Sequence, residues 1–172
     1  MLKLMGAALV LFAGAMAGFY QSWRLASRPR QIRGLIHALQ VLETEIVYAL
    51  TPLPEALRKL GRKTAAPVSG LFGQIGDRLE QEQGITLQEV WEFTALDYWK
   101  QTAMKETERE IVRQLGRTLG ISDREDQVKH LHLAIRELQR EEMTAIDEQK
   151  RYEKMWKSLG ILAGVLIVIM MY

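Results

Sequence analysis

The chain has 172 residues, 23 Lys and Arg against 21 Asp and Glu, and no cysteine. That length gives one domain of ordinary size, and the near balance of charge lacks the concentrated basic face a nucleic-acid protein needs. Without a thiol there is no disulfide framework, no thiolate metal site and no cysteine nucleophile.

Residues 1–22 read as an N-terminal membrane anchor. Leu4 to Tyr20 carries no charged residue, which puts it at the short end of what spans a hydrocarbon core of ~30 Å. Ala13-Gly14-Ala15 and Ala15-Met16-Ala17 also fit the small-x-small pattern of signal-peptide cleavage, which would release an exported helical domain. The flanks favour an uncleaved anchor. Lys3 alone precedes the segment, whereas Arg24, Arg28, Arg30 and Arg33 follow it and no acid appears before Glu43. Positive charge stays on the cytoplasmic side, so the four arginines are expected as a basic cluster at the membrane interface, attracted to anionic lipid.

Residues 23–157 then form a cytoplasmic helical domain. Pro29 suits the first turn of a helix, where its missing N–H costs nothing. Leu35, Leu39, Leu42 and Ile46, flanked by Ile36, Val47 and Leu50, mark one face at helical spacing until Thr51-Pro52-Leu53-Pro54 breaks the run. Leu53, Ala56, Leu57 and Leu60 mark a second helix, and Val68, Leu71, Phe72, Ile75 and Leu79 a third, ending near Gly84. Gly70, Gly73 and Gly76 fit neither a dinucleotide fingerprint nor a P-loop, and point to close helix packing. Thr86 and Glu89 form a capping box before an apolar set of Val90, Trp91, Phe93, Leu96, Tyr98 and Trp99. Met104, Ile111, Val112, Leu115 and Leu119 belong to a further helix. No alternating β-branched run occurs, so the fold class is all-α, a compact bundle of about six helices.

Gly120 closes that helix, and Ser122 with Glu125 gives a second capping box, with Asp123 at the positive end of the helix dipole. No Pro or Gly follows until Gly160, which predicts a single long helix from residue 122, up to ~50 residues or ~75 Å. Its seam of Val128, Leu131, Ile135 and Leu138 thins afterwards, so residues 139–157 are expected as a solvated stalk. Residues 158–172 form a C-terminal membrane segment, with Trp156 and Lys157 at the interface. Gly14-x-x-x-Gly18 and Gly160-x-x-x-Gly164 put small residues on one face of each segment, a pattern for helix packing in membranes. Capping does not require Arg124 or Asp126, so Asp123, Arg124, Glu125 and Asp126 are a candidate partner-binding site.

Catalytic chemistry finds little support. His130 and His132 stand about 200° apart on a helix and share no face; His37 is isolated. No catalytic, metal or cofactor-binding residue is assigned, and the chain reads as no enzyme. A small metal-dependent enzyme and the exported domain stand as alternatives.

Two stretches carry a family resemblance. The segment Leu39-Gln40-Val41-Leu42-Glu43-Thr44-Glu45-Ile46-Val47-Tyr48-Ala49-Leu50-Thr51-Pro52-Leu53-Pro54-Glu55-Ala56-Leu57 and the run from Leu115 through Gly120-Ile121-Ser122-Asp123-Arg124-Glu125-Asp126 to Leu131 resemble the stage III sporulation protein AB family of endospore-forming bacteria. The helix–turn unit around Pro52–Leu57 is also similar to the cytoplasmic F domain of inner-membrane platform proteins in type II secretion and type IV pilus machines. The resemblance implies a membrane-anchored assembly component of the channel-like complex between mother cell and forespore, a platform for the AA ATPase. It implies as partners the lipid bilayer and the other proteins of that complex, with neither nucleic acid nor small-molecule substrate. The main domain would lie on the mother-cell side of the forespore-facing membrane.

Overall fold

The computed structural model describes residues 26–171 apart from Gln83 and Ser122, with side chains followed to Met155 and at Leu159. Six helices and no strand occur among the described residues: α1 (26–47), α2 (Leu53–Lys63), α3 (Val68–Gln81), α4 (Leu87–Trp99), α5 (Glu106–Thr118) and α6 (Arg124–Met171). Helix α1 is the centre of the bundle. Ile32, Leu35, Ala38, Leu39 and Leu42 are all at most 1% exposed, so its apolar stripe is covered on both flanks.

The α2–α3 hairpin is close because glycine leaves room for backbone to approach backbone. A β-carbon on Gly61 would lie 2.6 Å from the Cα of Gly73, and one on Gly76 would meet Arg58. The expected close packing of Gly70, Gly73 and Gly76 is therefore present. Gly70 faces the ring of Tyr98, whose hydroxyl is pushed up to about 12 by burial. Helix α4 opens on the expected capping box, with the Glu89 N–H donating to the Thr86 hydroxyl and the Thr86 N–H to the Glu89 carboxylate at 2.9 Å. Gly84 and Gly120 take the left-handed conformation, with φ of +91° and +85°, which a β-carbon would strain.

Trp91 anchors α4 against α5. It is 1% exposed, meets Phe72 edge-on at 5.9 Å, and donates its indole N–H to the Val112 carbonyl at 2.9 Å. Phe93 and Leu96, expected on the same apolar stripe, are instead 66% and 52% exposed. The α4 sequence holds more apolar residues than one helical face can bury. Val90, Trp91, Thr94, Ala95, Tyr98 and Trp99 take the inner face, and Phe93 and Leu96 fall outside it.

Helix α6 runs for 48 residues, about 72 Å at 1.5 Å per residue. At its start Asp123 serves as cap: its carboxylate accepts the Asp126 N–H at 2.9 Å and its carbonyl the Gln127 N–H at 3.0 Å. Ser122, expected in that role, lies outside the described residues. Helices α1 and α6 are antiparallel neighbours, as three side-chain contacts show: Glu43 with His132, Arg33 with Glu142, and Arg28 with Glu148, each at 2.7 Å. The expected solvated stalk from residue 139 therefore starts later. Ala145 is 2% exposed and α6 stays docked as far as Glu148, because its acidic residues meet arginines of α1. Among the described residues no helix is long and apolar enough to cross a membrane. The expected anchor at 1–22, with Gly14, Gly18 and Arg24 beside it, lies outside the described residues. The backbone of the second segment continues α6 through Gly160 and Gly164 to Met171.

Candidate docking site

Two polar clusters mark the two ends of the docked part of α6, about 36 Å apart. At the far end the expected basic cluster is divided by the fold. Arg30 is exposed, Arg33 pairs with Glu142, and Arg28 is only 3% exposed. Arg28 is thus no part of a membrane-facing patch. Its Nε donates to Glu108 Oε1 at 2.8 Å, Nη1 to Glu148 at 2.7 Å and Nη2 to Glu141 at 3.3 Å. Three carboxylates draw the guanidinium inward because its planar fork can serve them all at once. Glu108 is fully buried, and its other oxygen accepts the Lys105 N–H at 2.7 Å, capping α5. Glu148 also binds the Lys105 ammonium at 2.8 Å. The Lys105 hydrogen bond, with the positive charge of Arg28, holds the Glu148 carboxyl below the ordinary 4.5.

At the near end the α1–α2 turn is drawn tight by Glu45. The Thr51 hydroxyl donates to its carboxylate at 2.9 Å, and Lys59 and Lys63 approach at 3.3 Å. The Thr51 hydrogen bond, helped by the two lysines, likewise holds this carboxyl below 4.5 against the opposing effect of burial. Both groups have depressed folded-state values, so their stabilisation is complete above the ordinary glutamate range and is lost as pH falls through the lowered values. The melting temperature should therefore be level down to about pH 5 and then fall. In a thermal-melt series the Glu148→Gln variant should show a shallower acid limb.

The tight turn has a consequence at Leu50. Its φ is +53°, the sole non-glycine residue at positive φ among the described residues, and its side chain is 60% exposed. A left-handed leucine costs roughly 1–2 kcal/mol, and such strain held in place by surrounding contacts points to a functional surface. Leu50 lies on a groove of about 320 Å³ shared with Ile46, Pro52, Leu53, Gln127 and Arg124. Tyr48 at 81% and Ile121 at 74% are also exposed nearby in sequence.

Two of the four expected partner-binding residues are occupied locally: Asp123 by capping, and Asp126 by Lys129 at 2.8 Å. Arg124 and Glu125 are exposed, and Arg124 alone of the four lines the groove. The sequence reading put Leu50 on the flank of the first helix's apolar face, whereas it lies beyond the end of α1 with its side chain exposed, since positive φ in leucine has no local signature. It also placed no weight on the exposed Phe93, which stands between two open grooves and under the guanidinium of Arg78 at 6.0 Å. Of the histidines, His132 is engaged by Glu43, and no cluster of His, Asp and Glu among the described residues could hold a metal.

The described residues define an all-α helical domain whose last helix runs on beyond its docked part. Comparison with known proteins makes this specific. The profile of the Stage III sporulation protein AB family matches residues 3–172. Stage III sporulation protein AB of Bacillus subtilis (strain 168) is 41% identical over 171 residues, 99% of each chain. A solved structure of Stage III sporulation protein AB (SpoIIIAB) superposes with a TM-score of 0.68 at 40% identity, covering 73% of this chain and 98% of that one. The chain belongs to the stage III sporulation protein AB family.

Proposed function

We propose that this protein is a non-enzymatic, membrane-anchored assembly component of a secretion-like channel complex between mother cell and forespore. Its cytoplasmic domain would receive the partner ATPase at the Leu50–Arg124 groove. The sporulation role follows the family. Anchoring by residues 1–22 and 158–172 rests on two uncharged apolar runs whose inner flanks are both basic. Likeness of the α1–α2 unit to the platform F domain supports a platform role.

The observation that carries the docking assignment is Leu50 itself. A folded domain that holds a leucine in strained backbone, with its side chain in solvent beside an unpaired cation, gains no stability from that arrangement. Leu50→Gly removes both the side chain and the left-handed penalty. The stability of this variant should stay level or rise by up to about 1 kcal/mol, while co-purification of the ATPase is lost. Arg124→Glu should lose the partner without changing the melting temperature. Retention of the ATPase by both variants would remove this groove from consideration. Anchoring has its own test, single-cysteine labelling in intact cells, in which a probe at Gln83 should be shielded and one at Tyr172 should react from outside.

A further inference from the structure

The outer face of α4 carries a stripe whose spacing is the same read from either end. Glu89, Phe93, Leu96 and Lys100 follow one another at steps of four, three and four residues, the spacing of a coiled-coil seam, and all are exposed. Helices α3 and α5 flank α4, and its inner face is taken up by the core. Phe93 and Leu96, 66% and 52% exposed, form the apolar middle of the stripe, with an acid at one end and a base at the other. Open grooves of about 430 and 580 Å³ border Phe93. Leaving these two side chains in water gains the fold nothing.

Set against a copy of itself running the other way, the stripe meets its own complement. Phe93 comes to Leu96 of the second copy and Glu89 to Lys100, and the two-fold axis repeats both contacts. A parallel copy would put Glu89 on Glu89 and Lys100 on Lys100, so charge selects the antiparallel arrangement. The groups at the ends are available. Thr86 holds only one oxygen of the Glu89 carboxylate, Oε2, and Lys100 makes only an exposed pair with Asp97, which is worth little. The flank agrees as well. Arg78 of α3 lies over the Phe93 ring at 6.0 Å and meets no carboxylate among the described residues. Asp97 stands one turn beyond Phe93, and in a two-fold pair it comes opposite Arg78 of the second copy. We propose that α4 is a contact between two copies of this chain, packed antiparallel about a two-fold axis, with Phe93 and Leu96 at its centre and Glu89–Lys100 pairs at its ends. One helix of 13 residues from each copy is small beside a standard interface of ~1,600 Å², so the dimer is reversible.

The contact uses none of the residues assigned to the Leu50–Arg124 groove and stands whether or not that groove receives an ATPase. The native protein has no cysteine, so introduced thiols report directly. Two differently tagged full-length copies, one Glu89→Cys and the other Lys100→Cys, are co-expressed, purified together and oxidised. A disulfide requires Cα atoms within ~7 Å. The mixed pair meets that condition in the proposed register, and the opposite end of the same dimer keeps its Lys100–Glu89 contact. Like pairs are held roughly 16 Å apart along the helix axis. The mixed disulfide should therefore exceed either like pair at least about tenfold. Adding Phe93→Ser and Leu96→Ser to both copies should reduce it by a similar factor with little change in melting temperature, since both side chains are mostly in solvent. Like pairs that link as well as the mixed pair would overturn the antiparallel contact. A mixed pair that links no better than Glu89→Cys with Met143→Cys, exposed on α6, would assign the stripe to a different protein and overturn the inference as well.

Discussion

Replacing Arg28 by methionine should lower the stability of the domain by about 3–5 kcal/mol, because it strands a fully buried carboxylate. Glu108 keeps the Lys105 N–H as a hydrogen-bond donor but loses its only cationic partner among the described residues. Glu141 and Glu148 suffer less, since both side chains reach solvent. The loss is a property of the orphaned charge and not of the missing arginine. Adding Glu108→Gln should recover most of it, since the amide oxygen still accepts the Lys105 N–H and no charge remains. Urea denaturation of Arg28→Met, Glu108→Gln and the double variant forms a closed cycle. A double variant as unstable as the sum of the singles would show that the pair is not coupled.

The second large effect is expected at Gly116. A β-carbon there would fall within the indole of Trp91, and Trp91 can neither swing out nor shift without giving up its hydrogen bond to Val112. Gly116→Ala should therefore cost about 3 kcal/mol, the upper range for overpacking a close-packed core. The near-ultraviolet circular dichroism of the tryptophans should change with it. Gly84→Ala provides the contrast. No atom lies within 4 Å of a β-carbon there, but φ is +91°, so only the backbone penalty of roughly 1–2 kcal/mol applies. Equal losses at the two sites would mean that Trp91 is free to move.

These two positions show which features the sequence discloses and which it conceals. Capping at Thr86 and Glu89, termination at Gly120 and the unbroken run to Gly160 are decided within a few residues, so local pattern is sufficient. Arg28 meets Glu108 and Glu148 across 80 and 120 residues of chain. Nothing near Arg28 distinguishes it from Arg30 or Arg33, and a basic run beside an apolar segment reads as an interface cluster until the acids opposite it are known. Glu108 did carry a signal, as the third residue of a helix opening at Lys105, though not one that predicts burial. Phe93 was misplaced because α4 is apolar on more than one face, where periodicity ceases to discriminate. At the proposed docking site Arg124 was singled out for its lack of a capping role, whereas Leu50 was read as a flank of the first helix's apolar face. A strained φ is imposed by Glu45 and Thr51 together, and neither residue type announces it.

Helix α6 is both a wall of the core and the arm that leaves it, with no proline and no glycine between Arg124 and Ser158. Such an arm behaves as a threaded shaft. Every residue added or removed beyond Glu148 turns its outer end by about 100° and moves it by 1.5 Å, while the domain itself is untouched. Azimuth and height at the outer end are thus set together by one integer, the number of residues in the shaft. Four residues restore the azimuth to within about 40° at a cost of some 6 Å in height. Length in this part of the chain is therefore as much a specification of direction as of reach.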